Sequence, residues 1–119
     1  MASRPDPAAF LPLKPDVFTI LLVLLEGDAH GYRMIKAAEE RAGRLGQLQP
    51  GALYRLLKQM LDSDLVREVS PADGARDERR RYYRITPFGR EVAQAEAERM
   101  AELVGLSRKH RLIEEGKGA

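Results

Sequence analysis

The fold is decided by the stretch Gln49-Pro50-Gly51-Ala52-Leu53-Tyr54-Arg55-Leu56-Leu57-Lys58-Gln59-Met60. Its leucines and Met60 recur at the spacing of an amphipathic helix with one buried stripe. Pro50 suits the first turn, where its missing N–H costs nothing. The opposite face is small at its start and then hydrogen-bonding or cationic: Gly51, Ala52, Tyr54, Arg55, Lys58 and Gln59. A helix N-terminus with such a face suits a phosphate-rich groove, although taken alone it is more simply explained as a solvated polar face.

Two helices are predicted before this stretch. Residues 15–26 are apolar nearly all round, which is typical of a central core helix, and Gly27 ends them. Residues 30–42 form a second helix. Its predicted buried side consists of Tyr32, Ile35, Ala38 and Ala42. Three helices with short connections, the third with a cationic face, describe a helix-turn-helix core.

A β-hairpin is predicted after the third helix, with strands at residues 65–70 and 79–85 joined by a polar loop. Asp64 precedes it, where a left-handed cap conformation would be useful. Thr86-Pro87 then begins a helix that continues to about residue 113. We therefore predict a mainly α fold with a small β-hairpin: a winged helix-turn-helix domain at 15–86, with a C-terminal dimerisation helix at 87–113. Residues 1–14 are an arm and 114–119 a disordered tail.

The C-terminal helix would be ~40 Å long at 1.5 Å per residue, which is more than a small domain needs. Such a helix usually packs against a copy of itself. The residues expected to form this dimer contact are Phe88, Val92, Met100, Leu103, Val104 and Leu106. The apolar residues of the arm could cover the chain's own core or a partner chain, and we favour the first alternative.

The total charge says little about partners, because 20 basic and 18 acidic residues leave a net charge of only +2. The distribution of the charges along the chain is more informative. Between residues 76 and 84, five arginines face two acids. Arginines on a hairpin beside DNA would neutralise phosphates, and Arg79 and Arg80 are the residues we select for this role. Arg81, in phase with Tyr83, is expected along the core instead.

Several classes of protein are disfavoured. The longest apolar run, residues 17–25, is far shorter than the roughly 20 residues of a membrane span. No glycine-rich phosphate loop or nucleophile motif is present, so we expect neither an enzyme nor a cofactor. Without cysteine, two distant histidines make no metal site, and His30 more simply caps or packs at the start of the second helix. We expect a cytoplasmic protein that does not associate with membranes.

Three runs resemble the PadR family of bacterial transcription regulators: His30-Gly31-Tyr32 with Ile35, residues 50–57, and Tyr82-Tyr83-Arg84-Ile85-Thr86-Pro87-Phe88-Gly89. They occur in the family's order and spacing. The resemblance implies a homodimeric, DNA-binding winged-helix repressor that dimerises through its C-terminal helix. It also implies a small hydrophobic or aromatic effector bound at or near the dimer interface. Gln49 departs from the family, which often has serine there, a good helix N-cap.

Taken together, these observations predict that Tyr54, Arg55 and Lys58 read double-stranded DNA, with Arg55 at guanine edges and the other two at phosphates or sugars. A winged helix used for protein–protein interaction without DNA is the rival hypothesis, because fold alone does not determine function. The arginine-rich hairpin favours DNA, while the nearly neutral net charge keeps the rival open.

Overall fold

A computed structural model describes residues 5–42, 48–70 and 81–114. These residues form a short 3₁₀ helix (Pro7–Phe10), α1 (Pro15–Leu25), β1 (Ala29–His30), α2 (Gly31–Ala42), α3 (Pro50–Asp62), β2 (Val66–Val69), β3 (Tyr82–Ile85) and α4 (Pro87–Lys109). The strands make one antiparallel sheet in the order β1-β3-β2. The predicted mainly helical fold with a small sheet is confirmed. No helix within these described residues is long and apolar enough to cross a membrane.

The core lies between the helices and the inner face of the sheet. Helix α1 supplies its centre, with Ile20 and Leu21 fully buried. Its other side is not covered, because Leu22 and Leu25 are 45% and 37% exposed. Helix α3 buries the predicted stripe of Leu53, Leu56, Leu57 and Met60.

Helix α2 buries part of the predicted side, since Ala38 is 0% exposed, but it also buries Met34 and Ala37, which were not predicted. Tyr32, by contrast, is 60% exposed, so the prediction of Tyr32 as a core residue is wrong. Residues at i, i+3 and i+4 share one face of a helix, and Tyr32 stands two positions before Met34, on the other side. Ile35 is half-buried against the core.

The sheet has a strand that was not predicted. β1 is only two residues long and exists through its pairing with β3, Ala29 opposite Tyr83 and His30 opposite Tyr82. β2 and β3 are shorter than expected, and the predicted hairpin loop lies outside the described residues. Both Tyr82 and Tyr83 are buried, so β3 does not alternate between a buried and an exposed face.

The junction between α3 and α4 is held by Thr86. Its hydroxyl donates to the carbonyl oxygen of Asp64 at 2.6 Å and accepts from the amide of Gly89 at 2.8 Å, which caps α4 as predicted. Asp64 has φ +61°, the left-handed conformation expected at this position. A Cβ at Gly89 would collide with the carbonyl oxygen of Leu65, so only glycine allows the start of α4 to lie this close to the segment between α3 and β2.

Helix α4 ends at Lys109, four residues before the predicted end, and Arg111 with φ +61° follows this end. Phe88 and Val92 are 2% and 0% exposed within this chain's own core. Their assignment to the dimer contact is therefore corrected, because their side chains have no surface left for a partner. By contrast, the exposed residues of the second half include Leu103, Val104 and Leu106, at 49%, 38% and 50%.

The arm packs on the chain's own body, as the favoured alternative predicted. The ring of Phe10 meets that of Phe88 edge-to-face at 5.5 Å, and the amide of Leu13 donates to Glu96 Oε2 at 3.2 Å. Glu96 is only 2% exposed and accepts from Arg99 at 2.6 and 3.0 Å. Hydrogen bonding and charge from Arg99 lower the pKa of Glu96, although burial opposes the shift.

Candidate nucleic-acid interface

The outward face of α3 carries every residue that was predicted to meet DNA from this helix. Arg55, Lys58 and Gln59 are exposed, and Tyr54 is 57% exposed. Gly51 is exposed at the first turn, and Ala52 beside it is half-buried. Between residues 49 and 61 this face carries two positive charges, Arg55 and Lys58, and no acid, whereas the exposed Asp62, the last residue of α3, lies one turn beyond Lys58.

Among the residues that the structure describes, no side chain caps or covers the start of α3. Gln49 accepts from the amide of Leu53 through its backbone carbonyl at 2.8 Å, but its side chain forms no capping hydrogen bond. A Cβ built at Gly51 would meet nothing within 4 Å, so packing among the described residues does not require glycine there. The first turn therefore leaves room for another molecule to approach its backbone closely.

Tyr54 joins α3 to the start of α2. A Cβ at Gly31 would lie 2.6 Å from the Tyr54 hydroxyl oxygen, which shows that this phenol rests directly over the α2 backbone. The exposed Tyr32 follows Gly31 and extends the same region of the surface. Sequence reasoning missed Tyr32 as a surface residue, although the spacing of Met34, Ala37 and Ala38 was a signal that could have revealed it.

His30 connects this region to the sheet. Its Nδ1 accepts from the amide of Arg33 at 3.2 Å, so the imidazole caps α2, in agreement with prediction. This contact requires Nδ1 to be unprotonated. The His30 ring stacks at 6.5 Å on Tyr32 and meets Tyr82 edge-to-face at 5.3 Å. These contacts fix the start of α2 relative to β3.

The wing, defined here as β2, β3 and the segment between them, is described only at its base. Arg79 and Arg80 lie outside the described residues. Arg84 forms two hydrogen bonds with Asp28, at 2.9 and 2.8 Å, and these raise the pKa of its guanidinium. Its charge is therefore offset by a carboxylate. Arg81 is exposed and not buried in the core, although its side chain hydrogen-bonds the buried Tyr83 at the edge of the core.

A further cation, Arg67, stands on β2 directly opposite Arg84 and is exposed. Sequence reasoning missed it because only strand pairing brings the two arginines together. Of the two paired arginines, Arg84 is neutralised by Asp28, and Arg67 is exposed on the edge strand β2.

The phenol of Tyr83 on β3 has a raised pKa. Burial is the largest cause and the Glu68 carboxylate the next, while Arg81 opposes the shift.

The residues that the structure describes contain no cluster of side chains that could bind a metal ion. In this part of the chain no three histidine, aspartate or glutamate side chains converge as ligands.

Residues 20–95 match the family described as "Transcriptional regulator PadR-like family". A crystal structure of a PadR family transcription regulator from Clostridium difficile has the same fold, with a TM-score of 0.70, 22% identity, and coverage of 82% of this chain and 98% of that one. Bacillus subtilis PadR in complex with operator DNA is also similar, with a TM-score of 0.60, 21% identity, and coverage of 71% and 46%.

A curated relative gives a closer sequence match over part of its length. It is an uncharacterised 37.1 kDa protein in transposon TN4556 of Streptomyces fradiae, 36% identical over 86 residues. The match covers 72% of this chain but only 23% of the relative. PadR-like proteins are transcriptional regulators and not enzymes, as predicted here. The family match extends over more than half of the residues of this chain, so the chain belongs to the PadR-like family of transcriptional regulators.

Proposed function

We propose that the protein binds a pseudo-palindromic operator as a homodimer in the cytoplasm and represses transcription. The observation that carries this proposal is the outward face of α3, which combines an uncapped first turn with the exposed Arg55 and Lys58; the one acid of this helix, Asp62, is its last residue, at the end away from that turn. Such a face suits the major groove, where backbone amides and cations meet phosphates and side chains reach base edges. The operator complex of the Bacillus subtilis relative supports DNA as the partner.

Individual roles follow from position on the helix. Arg55, in the second turn, is the residue proposed to pair with guanine edges, because its guanidinium can donate two parallel hydrogen bonds. Tyr54 and Lys58 on the same face would hold phosphates or sugars. Arg79 and Arg80 of the wing would neutralise the flanking phosphates, which adds affinity without base preference.

Dimerisation is proposed through α4 and α1. A groove of about 240 Å³ runs between these helices, lined by Phe18, Leu22 and Leu25 of α1 and by Ala93 and Ala97 of α4 among others. Together with the exposed Leu103, Val104 and Leu106, it offers apolar surface that a second copy would cover. Met100, half-buried, belongs to the same half of α4. Two copies would place their α3 helices in successive major grooves, about 34 Å apart.

Regulation by a small hydrophobic or aromatic effector is proposed as well. This part of the proposal rests on the resemblance to the family and not on a ligand site in the structure. Release of the operator by the effector would make the protein a ligand-controlled repressor.

The experiment that tests DNA binding is selection of bound duplexes from a random pool, followed by titration with salt. The logarithm of the affinity should fall with the logarithm of salt by about 0.9 for each phosphate neutralised. Arg55→Ala should relax base preference, whereas Arg80→Ala should weaken all sequences alike. Arg108→Ala, an exposed arginine near the end of α4, is the matched control. If no duplex is bound at low salt, DNA binding is refuted and the protein-interaction hypothesis is favoured.

A further inference from the structure

We propose that the operator is also held from the start of α2, where the Tyr32 hydroxyl donates a hydrogen bond to a phosphate oxygen of the DNA backbone. This contact lies outside the outward face of α3 and rests on the DNA-binding function proposed above. It carries no base preference, because phosphates are alike in every sequence. It also adds no charge, so its dependence on salt differs from that of a lysine or arginine contact.

Tyr32 is exposed where the start of α2 meets α3. Its side chain is 60% exposed, and that of Tyr54 is 57% exposed. The Tyr54 hydroxyl rests over the backbone of Gly31, since a Cβ at Gly31 would lie 2.6 Å from the hydroxyl oxygen. Tyr32 is the next residue along the chain, so the two phenols belong to one continuous surface. DNA that reaches Tyr54 on α3 would therefore reach Tyr32 as well.

The ring of Tyr32 is held in place although it is exposed. It stacks on the imidazole of His30, with ring centroids 6.5 Å apart and planes inclined by 18°. The imidazole is fixed in turn, because its Nδ1 accepts from the Arg33 amide at 3.2 Å and its ring meets Tyr82 edge-to-face at 5.3 Å. A phenol held in this way loses little conformational entropy when its hydroxyl binds. His30 is therefore a positioning residue for Tyr32.

The charges of α2 around Tyr32 favour an anion. No acidic residue occurs between residues 29 and 38, and Asp28 before them is neutralised by the guanidinium on β3, at 2.9 and 2.8 Å. The first acid beyond Tyr32 on its own side of α2 is Glu39, about 10 Å away at 1.5 Å per residue. The exposed Lys36 stands between them. A phosphate at Tyr32 would therefore meet a positive charge of this helix before it met a carboxylate.

The test replaces Tyr32 by phenylalanine, which keeps the ring and removes only the hydroxyl. Tyr32→Phe should weaken binding of the operator and of unrelated duplexes alike, by about three- to tenfold, the contribution of one hydrogen bond. The slope of log affinity against log salt should not change, because a phenol releases no counterion, whereas Lys58→Gln should lower this slope by about 0.9. Ser63→Ala removes an exposed hydroxyl at the other end of α3 and is the matched control.

The contacted phosphate can be located with duplexes that carry one uncharged methylphosphonate at successive positions. At that phosphate the unaltered chain should lose affinity, and Tyr32→Phe should lose nothing further. Losses that add at every position would show that the hydroxyl binds no phosphate. If Tyr32→Ala weakens binding but Tyr32→Phe does not, the ring makes an apolar contact and the proposal is overturned.

Two variants at His30 separate stacking from capping. His30→Asn keeps a side-chain acceptor for the start of α2 and removes the ring, whereas His30→Phe keeps the ring and removes the acceptor. Operator affinity should follow the ring, so His30→Asn should approach the loss seen with Tyr32→Phe and His30→Phe should not. The free energy of unfolding should instead follow the cap. Equal operator affinity in the two variants would overturn the positioning role of His30.

The outcomes for this contact and for the proposed function are distinct. Urea denaturation should give Tyr32→Phe the midpoint of the unaltered chain, because the change is at an exposed position. If this variant binds the operator as tightly as the unaltered chain, the contact is refuted and the proposed function stands. If the unaltered chain binds no duplex at low salt, the proposed function is refuted and the contact with it.

Discussion

The replacement Gly51→Ala should move stability and DNA binding in opposite directions. A methyl group at this position meets no atom of the described chain within 4 Å, so the fold can accept it without strain. Alanine is also the better helix former, and the free energy of unfolding should rise by up to about 1 kcal/mol. The added methyl would nevertheless stand on the surface proposed to approach the phosphate backbone.

The expected loss of affinity can be worked from the contacts at risk. Pro50 has no N–H and Gln49 provides no side-chain cap, so the amides of Gly51 and Ala52 are the donors available at the start of α3. A hydrogen bond to a charged acceptor contributes about 1.5 to 3 kcal/mol. Loss of one such bond by displacement of the DNA would weaken binding about tenfold or more.

Fluorescence anisotropy with labelled operator at one fixed salt concentration measures the affinity, and urea denaturation measures the stability. Gly105→Ala is the matched control, because a Cβ there also meets nothing within 4 Å and the position is on α4. It should raise stability without changing DNA binding. If Gly51→Ala binds the operator as tightly as the unaltered chain, the proposed close approach at the start of α3 is wrong.

Three other predictions concern contacts that the fold displays. Gly31→Ala should displace the Tyr54 phenol and lower operator affinity about two- to tenfold, with little effect on the free energy of unfolding. Combined with Tyr54→Ala, the two losses of affinity should not add, because both variants disturb the same contact. Additive losses would refute the role of this contact. Glu96→Gln should cost about 1 kcal/mol at neutral pH. Because the pKa of Glu96 is lowered by folding, this difference should vanish as pH falls below about 4.3 and through the lowered value, and a difference that persists in acid would contradict the assignment. Leu103→Glu should yield monomers in sedimentation experiments, whereas Gly105→Glu, two positions away and on the opposite side of α4, should not; an unchanged dimer in both would exclude this contact.

Local patterns were sufficient for much of the fold. The apolar repeat of α3 predicted its buried stripe, and with it the exposed positions of Arg55 and Lys58, because a helix places residues on its faces by spacing alone. Thr86 and Asp64 were predicted as a cap and a left-handed residue from their own chemistry, since both conformations depend on neighbours within a few positions.

Contacts between distant parts of the chain could not be predicted in this way. β1 exists only because β3 offers its edge, and a two-residue strand has no periodicity to detect. Arg84 appeared to be one more free cation of the wing until pairing placed it against Asp28, 56 residues away. Phe88 and Val92 fitted a dimer surface by composition, but the core already covers them.

The sequence by itself determined the winged-helix class, the family and the face of α3 that is exposed. These follow from hydrophobic spacing, caps and motif order, all of which are local properties of the chain. Only the tertiary structure decided which charges and apolar side chains remain at the surface: Tyr32 is outside, Arg84 is neutralised, and the arm covers part of α4. The physical reason is that burial and ion pairing depend on neighbours brought together by packing, and the order of residues does not specify those neighbours.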